Sequence, residues 1–251
     1  MRVIRPAALT RDDRLWRLGG PIALIAVGAA AGLGIMAGLA SGAPAAAASV
    51  AAALGIGIGV ASLVRGLAPE PNLRAARELE ALLAPAFDDA YALILLPRLP
   101  VRGRALTGLL VGPAGVRVLS VRRWEGRYRV RGRAWEFDAR GRDGWIACRT
   151  NPGFEVATLA DGVARWAEAA GLGQVSIAGA VAFPRRFSRV ILEEPSDEVV
   201  TTENVPWWAN SIGRTQRMDP TAAARFVDAV LDAGETLARQ RQAVTCVARQ
   251  R

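Results

Sequence analysis

The chain has 251 residues, 51% of them hydrophobic, and a formal net charge of +9, which suits one globular core plus an appended segment rather than several large domains. All 32 basic residues are arginine and histidine is absent, so chemistry that needs a titrating lysine or a histidine is excluded. Cys148 and Cys246 are too few and too far apart for a disulfide framework or a zinc site, and they read as free thiols of a reducing compartment.

Positions 1–18 form a basic N-terminus. No charged residue lies between Arg17 and Arg65, and one helix of that length would run roughly 70 Å, more than twice the hydrocarbon thickness of a bilayer. The stretch must fold back, and Ser41, Gly42 and Pro44 mark the break. The reading is a transmembrane helical hairpin within 19–65, with spans at 21–40 and 45–64. Glycines four apart, such as Gly28 with Gly32 and Gly55 with Gly59, would let the two helices approach closely. Arg2, Arg5, Arg11, Arg14 and Arg17 precede the first span, and Arg65, Arg74 and Arg77 follow the second. Both termini and the remaining domain are then expected on the cytoplasmic side of an integral membrane protein, with the lipid bilayer as a partner.

Residues 66–72 read as a linker. A helix of about 12 residues opens with Asn72 as its cap. Strand-like runs follow at 91–97, 106–113, 115–121, 127–133 and 144–149, separated by Gly, Pro and charged turns. Residues 151–171 carry a helical pattern, with Phe154, Ala157, Leu159, Val163, Trp166 and Ala170 on one side and Gly171 as the stop. Strands at 175–183, 189–194 and 198–204 come next, then helices from Pro206 to Arg217 and from Pro220 to Arg241. The expected class is α/β: the hairpin followed by a mixed sheet flanked by helices.

Charge is concentrated between 98 and 149, where thirteen arginines face four acids. Such a field attracts phosphate backbones, acidic proteins or anionic lipid. A set of solvated strand faces in an arginine-only protein gives the same pattern.

Three stretches carry a resemblance: "LTGLLVGPAGVRVLSVRRWEG" (106–126), "NP" (151–152) and "IAGAVAFP" (177–184). Together with the order of elements they resemble the NERD (nuclease-related) domain, which is similar to restriction-endonuclease-like nucleases. The resemblance covers 73–185 and leaves 186–251 as a C-terminal strand and helix extension. It implies an Asp and a Glu that hold a divalent metal, and a Lys that orients or activates water. Matched without gaps, the Asp position falls on Thr107, the neighbouring His on Gly108, the Glu on Ser120 and the Lys on Arg122. Neutral hydroxyls are poor replacements for two carboxylates, and a guanidinium cannot act as a base. The Gln that tends to follow "NP" in the family is Glu155 here, a position that reads as an exposed side chain near the helix N-terminus.

The leading expectation is therefore a membrane-anchored domain with a degenerate nuclease site, acting as a nucleic-acid-binding or interaction module, with no cofactor. Arg122, Arg123, Arg127, Arg129, Arg131 and Arg133 are the candidate phosphate contacts, with Trp124 and Tyr128 placed to stack on bases. An acidic protein is the other candidate partner. A lipid-facing scaffold of the inner leaflet is an alternative. A nuclease with migrated carboxylates, using Mg²⁺ and drawn from Glu78, Glu80, Asp88, Asp89, Glu125 or Glu155, is another.

Overall fold

The computed structural model describes residues 1–5, 71–101, 106–139, 144–214 and 218–249, together with 22–23, 25–27, 29–30, 50 and 52–60. The chain divides into two compact units, one formed by Met1–Pro6 and Pro71–Arg251, the other by Ala7–Glu70.

The Ala7–Glu70 unit corrects the membrane reading. Among the described residues no helix is long and apolar enough to cross a bilayer. Most of the expected first span and the turn at 41–44 lie outside the described residues. The transmembrane hairpin, the integral-membrane placement and the cytoplasmic orientation deduced from it are not supported.

In the other unit, β1 (Arg2–Ile4) is followed by α1 (Pro71–Leu83), β2 (Ala92–Leu95), β3 (Gly108–Gly112) and β4 (Gly115–Val121). Then come β5 (Gly126–Arg131), β6 (Ala134–Asp138), β7 (Trp145–Ala147), α2 (Pro152–Ala169), β8 (Ile177–Phe183) and β9 (Ser188–Glu193). The chain ends through β10 (Glu198–Thr201), α3 (Val205–Gly213) and α4 (Pro220–Arg249). The α/β class stands, with two sheets in place of one. The larger has the order β1-β2-β3-β4-β8-β10 and the smaller β7-β6-β5-β9.

In the larger sheet β2, β3 and β4 are antiparallel neighbours, while β8 lies parallel to β4 and β10 parallel to β8. These central strands are buried on both faces, which explains why they read as continuous apolar runs. Even-numbered residues of β4, Val116 and Val118, join the core under α2 with Leu159 and Val163. Odd-numbered Leu119 joins the core under α1 with Leu79 and Leu83. β8 is rich in small residues because α2 lies close: a Cβ at Gly179 would press on the Val156 carbonyl at 2.9 Å.

Asn151 caps α2. Its Oδ1 accepts from the Phe154 N–H at 3.0 Å, and its Nδ2 donates to the Arg133 carbonyl at 3.0 Å. Pro152 occupies the first turn, where no N–H is needed. Asn151→Ala is expected to cost about 1 kcal/mol, read as a lower urea midpoint at unchanged slope. Within α2 the buried face is Val156, Leu159, Ala160, Val163 and Ala167. Phe154, expected on that face, is 74% exposed.

Trp207 and Trp208 divide as a Pro-initiated amphipathic helix requires, Trp207 exposed and Trp208 buried. The Trp208 Nε1 donates to Glu198 at 3.0 Å, and Glu198 also accepts from the buried Arg117 at 3.0 Å. Arg117 of β4 reaches Glu198 of β10 across β8, where Ala178 is its neighbour in register.

Candidate functional site

Three of the four positions singled out by the resemblance, Thr107, Ser120 and Arg122, share one end and one face of the larger sheet, while Gly108 belongs to the other face, where an added Cβ would meet Leu79 at 2.8 Å. The antiparallel register pairs Gly108 with Leu119, and one step further it sets Thr107 beside Ser120. Thr107 Oγ1 lies 3.5 Å from the Val121 N–H, and the Thr107 carbonyl accepts from the Leu96 N–H at 3.0 Å. Arg122 follows directly on β4, with its own N–H donating to the Ala182 carbonyl at 2.8 Å. Its side chain has the parity of Ser120 and turns towards the first turn of α2.

There Arg122 meets Glu155. The guanidinium Nη2 donates to Glu155 Oε2 at 2.5 Å, and Arg122 is only 7% exposed. Glu155, expected as a solvent-facing side chain, is instead the counter-charge of a buried cation. The Arg122 guanidinium also lies 5.9 Å from the Trp124 ring centroid, within cation–π range. The first turn of α2 takes a second carboxylate, since a Cβ at Gly153 would overlap that of Asp197. Negative charge at a helix N-terminus is favourable.

This donor set does not fit a divalent metal. Hard cations need several oxygen ligands, preferably anionic. Thr107 and Ser120 supply neutral hydroxyls, and Arg122 supplies a positive charge that takes up the single carboxylate.

The other acids named from the sequence are held elsewhere. Glu78 contacts Arg123 at 3.2 Å and Arg185 at 3.6 Å, Glu80 contacts Arg5, and Glu125 pairs with Arg185. Asp88 accepts from the Ala90 N–H, and Asp89 faces the Met1 amino group. Among the described residues no group of three or more Cys, Asp or Glu gathers as metal ligands.

The candidate nucleic-acid contacts separate into two groups. Trp124 and Tyr128 turn inward, in an aromatic cluster with Trp135 and Phe183 whose ring centroids lie 5.2 to 6.4 Å apart. The Tyr128 hydroxyl donates to the Glu125 carbonyl, and burial raises its pKa, with the charges of Cys148 and Glu125 adding. Burial likewise pushes the Cys148 thiol up, helped by Glu136, so Cys148 is not an activated thiolate. The arginines of β5 point outward, as their alternation predicts, but acids accompany them. Arg127 bonds Asp138 at 3.0 Å, Arg129 bonds Glu136 at 2.6 Å, and Arg131 faces Glu193 at 3.9 Å. Arg123 lies on the α1 side against Glu78. Arg133 is exposed just beyond β5.

Two residues that sequence reasoning passed over complete this outer face. Trp145 on β7 lies beneath the guanidiniums of Arg129 at 4.7 Å and Arg127 at 5.8 Å. Arg189 on β9 lies beside Arg127 in the parallel register. Comparison with family models, with curated proteins and with solved structures returns no match.

Proposed function

We propose that residues 73–185 form a nuclease-related domain of the NERD type, extended by 186–251, in which metal-dependent hydrolysis has given way to binding. The Arg122–Glu155 ion pair carries the reading. It joins the residue at the family's Lys position to the one near its Gln position, and it sets an ion pair between β4 and the first turn of α2 where the resemblance implies a catalytic cation. The succession of α1, the antiparallel β2, β3 and β4, then, after the β5–β7 strands of the smaller sheet, α2 and parallel β8 supports the resemblance from the side of topology. The pairing of Glu78, Glu80 and Glu125 with arginines argues against a migrated metal site.

The pairing of the β5 arginines favours an acidic protein over nucleic acid as the partner. A continuous phosphate backbone laid along β5 would pass the carboxylates of Asp138, Glu136 and Glu193, whereas a side-chain carboxylate can approach one guanidinium at a time.

Calorimetric titration of Mg²⁺ and Mn²⁺ into the full chain, beside a cleavage assay on plasmid and single-stranded DNA, tests the loss of chemistry. The expected outcome is no saturable binding and no cutting. Metal-dependent cutting that disappears on Glu155→Gln would overturn the proposal.

A further inference from the structure

We propose that the outer face of the smaller sheet, at the end marked by Arg127, Arg189 and Trp145, is a docking surface for an acidic, partly apolar peptide segment. This rests on the reading of the domain as a binding module and names its partner class.

The register places Trp145, Asp138, Arg127 and Arg189 in one row across β7, β6, β5 and β9, about 14 Å long at 4.8 Å per strand. Like charges directly opposite on a sheet are destabilising, yet Arg127 and Arg189 stand so, both exposed. Asp138 serves Arg127. Arg189 makes no ion pair among the described residues, so this end of the row keeps an uncompensated guanidinium. Further along the same face Arg131 is matched with Glu193, so the excess is local.

Aromatic side chains lie at the far end of this row and in the turn that leads into β9. Trp145 stands on the solvent face with two guanidiniums over it. Phe187, in the turn just before β9, is 81% exposed, and its carbonyl accepts from the Gly126 N–H at 3.1 Å. Two adjacent exposed guanidiniums, one of them over the Trp145 ring, fit carboxylates carried on an extended segment with an apolar residue nearby.

The test is fluorescence anisotropy with the full chain and a labelled peptide of repeating Glu-Leu-Gly, compared at low salt with its Gln-Leu-Gly counterpart and with oligothymidine of equal charge. The Glu peptide is expected to bind and the Gln peptide to bind at least tenfold more weakly. Arg189→Ala should weaken the Glu peptide by about tenfold while leaving Tm unchanged or raised, because it removes the like-charge neighbour of Arg127. Trp145→Ala should also weaken it. Equal binding of the two peptides, indifference to Arg189→Ala, or tighter binding of oligothymidine would overturn the inference. None of these outcomes bears on metal-dependent cleavage, so the docking surface and the loss of chemistry fail separately.

Discussion

Glu155→Gln is expected to cost about 3 kcal/mol of folding stability, and Arg122→Met somewhat less, about 2 kcal/mol, with the double variant well short of their sum. Removing one member of a buried ion pair leaves the other without compensation, and the cost depends on how well water can reach the survivor. Arg122 has a side-chain exposure of 8% against 27% for Glu155, so the stranded guanidinium is the worse case. In the double variant neither charge remains, and a thioether beside an amide packs without an ionic debt. Urea denaturation of the four proteins measures the coupling. A coupling energy below about 0.5 kcal/mol would show that the two side chains stabilise the domain independently, and the closed pair would cease to explain the site.

Gly115→Ala is expected to cost about 3 kcal/mol, from two sources. Gly115 has φ of +93°, a conformation that costs an L-residue about 1–2 kcal/mol. Its added Cβ would also collide with the Ser176 carbonyl oxygen, the acceptor for the Val116 N–H at 2.9 Å. That bond lies at the start of the parallel pairing of β4 with β8, where Val116 stands beside Ile177, so relieving the collision pulls at the ladder. Gly126 supplies the control, with φ of +115° and nothing within 4 Å of an added Cβ. Gly126→Ala should show the conformational strain alone, about 1 kcal/mol. Thermal and urea unfolding of both variants separates the terms, and equal losses would remove the collision from the account.

The turn that holds Gly115 was legible in the sequence, and the reason is local. "LLVGPAGV" brings apolar runs to either side of glycines, and Gly112 and Gly115 pair directly across the hairpin. The strands around it and α2 were legible for the same reason, since periodicity and caps are written in neighbouring residues. The Thr107, Ser120 and Arg122 placement followed from an intact frame, and the antiparallel register sets them together. Glu155 was noticed but assigned to solvent, because nothing near it in sequence announces Arg122, thirty-three positions earlier. The outer face of the smaller sheet was half legible. Alternation in "RYRVRGR" turned the arginines outward, but their acids lie on β6, a strand that the sequence reading ran past, and on β9, sixty-two residues from Arg127 to Arg189 in the parallel register. Trp145 gained its role from the same tertiary pairing. The membrane hairpin was read from an uncharged apolar run, a Gly-Pro break, glycine spacing and flanking arginines, yet among the described residues no helix is long and apolar enough to cross a bilayer.

The edge strand β1 pairs with β2 through Arg2 beside Ala92 and Ile4 beside Ile94, ninety positions apart in the chain. The hairpins β2–β3 and β3–β4 close over short turns, so the middle of the larger sheet assembles from neighbours. β1 waits on an excursion through the whole second unit, held at its return by three residues of ladder and by Arg5 against Glu80. The entropy of closing so long a loop grows only logarithmically with its length, so the excursion costs this strand little more than a loop half as long would. One edge of the larger sheet is thus closed by its most distant pairing, ninety positions against sixty-one for β4 with β8.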